Sequence, residues 1–395
     1  MTQPEPNPLT KGGPGKCELR AVTVFREGKR GSANVNGRDA EDISAALSSA
    51  LTAADAGIAD AANDIAESPS LPKGDYGQSA PRRDAMISAV EGFIQDLMEL
   101  YPAVLARNSI YSFTNSETSF ANSRGVHQSQ RRGSYQFVAV FSAKEGRRAT
   151  SLNYSGATSF DPFERLLAAG SVQRLLDETL RSFERKPAPE KFVGDVIITP
   201  DCLHSLMLTI AGALSGSALF AGTTSYKGRQ GQQIASEKFS LLNRPRDFPG
   251  GSDFDGFGIP AQNLDVVKDG VLNDFLIDFF MAKKLNVRQT AGISNFIVPP
   301  GDMPVAEMVA NTRRGILFSR FSGGRPNNNL DFSGVAKNSF YIEDGEIKYA
   351  LGETMVSGNF QDLLQQIHSV SRESVNFGDG SYPFLAATGV TISAR

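Results

Sequence analysis

The sequence predicts an α+β protein of two domains. The first is an amino-terminal α/β sandwich-like domain, and the second is carboxy-terminal, strand-rich, mostly antiparallel and barrel-like. Three observations carry this reading. A chain of 395 residues is long enough for two sizeable cores. The stretch Lys186-Pro-Ala-Pro-Glu190 is the clearest linker, which gives domains 17–188 and 189–395 behind a loose Pro- and Gly-rich tail over 1–16. The patterning also changes across that linker, from long helical periods to short strands separated by glycine-rich turns.

In order along the first domain, Leu19–Phe25 and Lys29–Val35 read as a hairpin across Glu27-Gly28. Asp39 opens a helix whose Ile43, Leu47 and Leu51 share a face that should be buried. Residues 56–80 are small and polar with Pro69, Pro72 and Pro81 at their end, the composition of a mobile connection. A second helix over 84–101 buries Met86, Val90, Phe93, Ile94, Leu97 and Leu100 and is stopped by Pro102. Three short strands follow, at 109–114, 125–130 and 135–143. A third helix over 162–185 carries Gly170-Ser171, which can break it in two.

The second domain opens on Val196-Ile-Ile198, a short apolar run bounded by Thr199-Pro200, as a buried strand reads. Asp201 can cap the helix that follows, on which Leu203, Leu206, Met207, Ile210 and Leu214 recur at helical spacing. Beyond it come strands near 239–242, 315–321 and 388–393, a strand-turn-strand or strand-helix passage over 266–284 around Asp269-Gly270, a hairpin over 338–349 turned at Glu343-Asp-Gly-Glu346, and short helices at 305–311 and 358–367.

Composition narrows the function. Forty basic against 43 acidic residues leave a net charge of −3, so nothing favours a nucleic acid or an anionic membrane as partner. Two cysteines, Cys17 and Cys202, exclude a cysteine-built zinc site, and no apolar run reaches membrane-spanning length. A soluble, cytoplasmic protein is expected.

A linked series of blocks is more specific. An acidic turn at Asp255-Gly256 precedes Val267-Lys-Asp-Gly-Val-Leu272, Ala282-Lys-Lys-Leu285 and Thr290-x-Gly292. Gly315-Ile-Leu-Phe318, Asp331-Phe-Ser-Gly334, Ile342-Glu-Asp-Gly-Glu346 and Gly358-Asn-Phe-Gln-Asp362 then follow in the same order. The series resembles the TldD/PmbA family, labelled as modulators of DNA gyrase and understood as peptide-processing proteases. The amino-terminal half matches loosely, through Gly31-Ser-Ala33, and looks shortened.

The resemblance implies a site. In the TldD branch the helix after the first carboxy-terminal strand carries His-Glu-x-x-x-His, which holds zinc and a general base, and a cysteine near the carboxy terminus is a further ligand. Those positions fall here near Leu208, Thr209 and Ala213, with Gly212 retained. No His or Glu lies between Ser205 and Ser217, and no cysteine lies beyond Cys202. The chain therefore resembles the PmbA (TldE) branch, which lacks the metal site and has no cofactor. This implies a non-catalytic subunit paired with a zinc-bearing TldD-like partner as a heterodimer, with unfolded peptide entering as an added strand. The alternative is a stand-alone homodimer that binds peptide or serves as a scaffold without proteolysis. Thr290, Gly292 and Asn295 are the candidate contacts to peptide or partner.

Other constellations read as ordinary. Asp253 and Asp255 mimic a calcium loop, but Phe257 and Leu264 occupy ligand positions. His127, His204 and His368 are dispersed, and no G-x-S-x-G elbow occurs. Arg131-Arg132 and Arg147-Arg148 read as solvated turn residues.

Overall fold

Glu27 and Gly28 both have positive φ, 51° and 72°, the geometry of a two-residue turn matched to strand twist. They join β1 (Arg20–Arg26) to β2 (Lys29–Val35) in an antiparallel pair with the expected register. The helix α1 (Ala40–Ala56) lies on that pair, but not through the expected face. Ala46, Ala50 and Ala54 are buried, while Ile43 and Leu47 are 44% and 43% exposed. The reason is close approach: a Cβ on Gly31 would stand 2.0 Å from the Ala50 carbonyl oxygen. Only small residues fit between helix and strand at that distance.

This computed structural model describes residues 15, 18, 20–35, 39–323, 326 and 329–394. Gly15 apart, the tail expected over 1–16, and Cys17 with it, lie outside the described residues. The chain divides into two compact units, residues 1–65 and 66–395.

In the second unit, the three short strands expected between 109 and 143 are two long ones, β4 (Val104–Ala121) and β5 (His127–Glu145), paired antiparallel along their length. β3 (Gly74–Tyr76) runs parallel to β5, and Asn153–Ser159 pairs with it antiparallel. The helix α2 (Arg83–Leu100) and α3 (Val172–Leu180) cover one face, where Phe93, Leu175 and Leu176 meet Phe137 and Phe141. Of the stripe expected on α2, Phe93 is deeply buried, Met86, Val90, Ile94 and Leu97 are half-buried, and Leu100 is half exposed. The expected break at Gly170-Ser171 separates a short 3-10 turn, Leu166–Ala168, from α3.

Residues 66–80 are pinned by side-chain bonds rather than mobile. The buried Gln128 donates to the Pro69 and Gly258 carbonyls at 2.9 and 3.0 Å and accepts from the Leu71 amide at 2.8 Å. Asn122 holds the Ala66 carbonyl at 2.8 Å. Buried polar groups of this kind tie down a backbone that apolar patterning does not mark.

The largest sheet has fourteen strands among the described residues and is mostly antiparallel, as expected. Phe192–Ile198 lies at its centre, antiparallel to Gly380–Ala394 and parallel to Arg314–Phe318. Val196 and Ile198 enter the main core, and Ile197 enters a smaller one with Leu317, Phe340 and Phe384. Burial on both faces is why this strand reads as a continuous apolar run. The pairings trace an open path that branches at Gly380–Ala394 and close no ring among the described residues. The stretch 186–190 sits inside the second unit: Arg185–Lys186 pairs with Ala350–Leu351, and Ala188 is buried. No helix of the described residues is long and apolar enough to cross a membrane, a statement that concerns helices alone.

Candidate functional site

Thr199, not Asp201, caps α4 (Pro200–Ala213): its hydroxyl accepts from the Cys202 amide at 3.4 Å, and Pro200 takes the first helical position. Asp201 sits in the first turn, where it pairs with Arg174 and accepts from the Ser155 hydroxyl at 3.0 Å. All five residues of the expected stripe, Leu203, Leu206, Met207, Ile210 and Leu214, are buried. Cys202 is buried beside them, and burial pushes its thiol up to about 12, so it stays a protonated core residue.

The edge of that buried face borders a cleft of about 400 Å³. His204, Met207 and Leu208 form its helix wall, facing Asn295, Phe296 and Tyr382. The His204 ring belongs to a three-ring cluster, its centroid 4.8 Å from Phe377 and 5.2 Å from Tyr382, both stacked. Its Nε2 is 3.3 Å from an Asp379 carboxylate oxygen. Nothing in the sequence marked this pair, because its members lie on α4 and on the tip of a distant hairpin. Burial and the nearby Asp379 carboxylate push the Tyr382 phenol up.

A second cleft of about 430 Å³ opens between α5 (Gly216–Ala221), α6 (Phe279–Leu285) and the acidic turn at Asp255. The segment 292–296 borders both clefts. Gly292 and Ile293 face the second, while Ser294, Asn295 and Phe296 face the first. Burial pushes the Asp255 carboxyl up, opposed by amide bonds from Ile259 and Phe257, and Asp278 adds to the rise.

The expected contact residues divide accordingly. Gly292 and Asn295 border the clefts, and the Asn295 amide also donates to the Asp379 carbonyl at 2.8 Å. Thr290 is buried and holds a loop: its hydroxyl donates to the Phe275 carbonyl at 2.5 Å and accepts from the Ile277 amide at 2.9 Å. That is a structural bond, with no free hydroxyl for a ligand.

At the positions expected to correspond to the family's zinc motif, Leu208 is 69% exposed at the cleft, and Thr209 and Ala213 are half-buried. A hydrocarbon, a hydroxyl and a methyl group do not make a zinc ligand set. Among the described residues, no three His, Cys, Asp or Glu side chains come together in a way that could hold a metal ion. The residues present on α4 do not fit a resident zinc.

The acidic turn and the arginines are also accounted for. Asp253 is buried against Arg132 at 2.9 Å, and the Asp255 carboxylate accepts from the Phe257 and Ile259 amides at 2.9 and 3.0 Å. Arg132 is thus a buried strand residue rather than a solvated turn residue; its guanidinium also donates to the Phe248 carbonyl at 2.8 Å and lies 4.2 Å from the Tyr76 ring centroid. Arg131 pairs with Asp75, and Arg148 pairs with Glu145 and with Glu184.

Comparison with known proteins places this geometry. Residues 191–394 match the family model described as the PmbA/TldA metallopeptidase C-terminal domain. A metalloprotease PmbA homolog of Haemophilus influenzae is 24% identical over 265 residues, 64% of this chain and 57% of the relative, so the chain spans little more than half of that protein. A metalloprotease of Methanothermobacter thermautotrophicus is 25% identical over 79% of this chain and 76% of its own length. The crystal structure of TldE from Thermococcus kodakarensis superposes with a TM-score of 0.80 at 21% identity, over 95% of this chain and 90% of that one, a likeness of fold. With more than half of its length matched by the family model, the chain belongs to the PmbA/TldD family.

Proposed function

We propose that this chain is a non-catalytic, PmbA/TldE-type subunit that binds an unfolded, extended peptide beside α4 and acts together with a zinc-bearing TldD-like subunit. The observation that carries the reading is the cleft wall itself. Where the family resemblance calls for imidazole and carboxylate, α4 carries Leu208, which lines the cleft, and Thr209 and Ala213, which are not among its lining residues. Those three side chains can pack against a ligand or a neighbouring segment, but they supply neither a Lewis acid nor a group that moves a proton. The polar groups that could orient a peptide are Asn295, the His204–Asp379 pair and the backbone of 292–296.

The test has two arms. The purified chain, dialysed against zinc, is expected to retain no stoichiometric metal and to leave an unstructured casein-type peptide uncut. Addition of a TldD-like subunit is expected to give a stable complex by light scattering and to start hydrolysis. One tightly held zinc per chain with turnover by this chain alone would overturn the assignment. A homodimer that binds peptide and ignores the partner would favour the scaffold reading.

A further inference from the structure

The cleft beside α4 carries a charge signature that an apolar peptide groove does not need. Among the described residues, its only ionisable lining residues are His204, Asp379 and Tyr382, and no lysine or arginine borders it. The Asp379 side chain is 54% exposed, and among the described residues it pairs only with His204.

The hairpin tip that carries Asp379 is held at three successive carbonyls. The Thr158 amide donates to Phe377 at 2.9 Å, the Gly250 amide to Gly378 at 3.1 Å, and the Asn295 side chain to Asp379 at 2.8 Å. Gly378, with φ of 85°, allows the close seating, since a Cβ there would stand 2.0 Å from the Thr158 carbonyl oxygen. Phe377 and Tyr382, on either side of the tip, hold the His204 ring. The result is a hairpin tip held by its backbone, with a carboxylate 3.3 Å from His204 Nε2 and open to the cleft, next to the apolar surface of Met207, Leu208 and Phe296. Preorganised charge of this kind contributes selectivity because nothing has to be ordered when the ligand arrives.

From this we infer that the cleft selects peptide segments carrying a cation beside an apolar side chain, with Asp379 receiving the cation and His204 positioning the carboxylate. The cation is an ammonium or guanidinium, from a lysine or arginine side chain or from a free amino terminus. The inference rests on the peptide-binding reading above and adds the class of peptide.

Fluorescence anisotropy of the full chain at low ionic strength tests it with four labelled hexapeptides. One is capped with an internal Lys-Leu pair, one is its norleucine counterpart, one is its glutamate counterpart, and one is lysine-free with an open amino terminus. The lysine peptide is expected to bind roughly three- to tenfold tighter than the norleucine peptide and to lose that margin with added salt. Asp379→Asn should bring the ratio of lysine to norleucine binding to about one, and Asp379→Glu should restore part of it. The lysine-free peptide decides whether side chain or terminus is the source. A ratio near one for the unaltered chain, or a ratio that survives Asp379→Asn, would overturn the inference while leaving peptide binding standing. Failure of all four peptides to bind would overturn both readings.

Discussion

Arg174 joins two layers of the second unit through carboxylates that have almost no access to water. It pairs with Glu178 at 2.5 Å and with Asp201, whose side chains are 7% and 8% exposed, and Ser319 donates to Glu178 at 3.2 Å. Burial pushes the Glu178 carboxyl up, and Arg174 and the Ser319 hydroxyl pull it back. Replacing Arg174 by Met strands both acids, so a loss of about 3 kcal/mol is expected in urea denaturation near neutral pH. The pH dependence has a definite sign. Without its cation, Glu178 is protonated in the folded state at a pH where the unfolded chain is ionised. Its folded pKa then lies above its unfolded one, and stability present below the carboxylate range is lost as pH rises. The variant should be closer to the parent at about pH 5 than at about pH 8. A deficit independent of pH would show that packing around the arginine stem, not its charge, was lost. Asp201 shows what the sequence conceals at this scale, since an acid in the first turn of a helix reads as a cap when its buried partner lies on another element.

The helix α1 turns on small residues. Ala46, Ala50 and Ala54 pack toward the hairpin, and a Cβ on Gly31 would come within 2.3 Å of the Ala54 amide nitrogen. Ala50→Leu is therefore expected to cost about 1–3 kcal/mol by overpacking. Leu47→Ala, on a 43% exposed side chain, should change stability by less than about 0.5 kcal/mol. Urea titration of the two variants followed by circular dichroism decides, and the reverse order would place the large apolar face inward. The helical period was legible in the sequence, but the buried face was not, because a rule that buries the largest residues fails where a strand must come close. β5 was misread for the opposite reason. Its buried positions include the polar Gln128, Gln130 and Arg132, and the burial alternation changes phase at Arg132-Gly133, so no single apolar period runs along the strand. On α4 the five residues of the expected stripe are the buried ones, while Leu208 outside it is exposed and the cap lies at Thr199 rather than Asp201.

Across the whole second unit, the candidate site depends on joins that cross the proline-rich stretch at 186–190. Arg132 reaches Asp253, Arg174 reaches Asp201, Ser319 reaches Glu178, and the Thr158 amide holds the hairpin tip that carries Asp379. A linker composition was legible at 186–190, yet those partners lie more than a hundred residues apart in several cases, beyond any local pattern. The emptiness of α4 could be read from residue types alone, whereas the His204–Asp379 pair needed the fold. If these joins are integral to folding, residues 66–395 should melt in one calorimetric transition, and 189–395 expressed alone should fail to give dispersed near-ultraviolet circular dichroism. Freed from 66–188, that fragment would lose the partners of Asp201, Asp253 and Ser319 and expose the surfaces they seal, a loss of several buried polar contacts at once. Two resolved transitions, or a folded 189–395, would instead make the family-model segment a self-sufficient domain and confine the cleft's support to residues beyond 188.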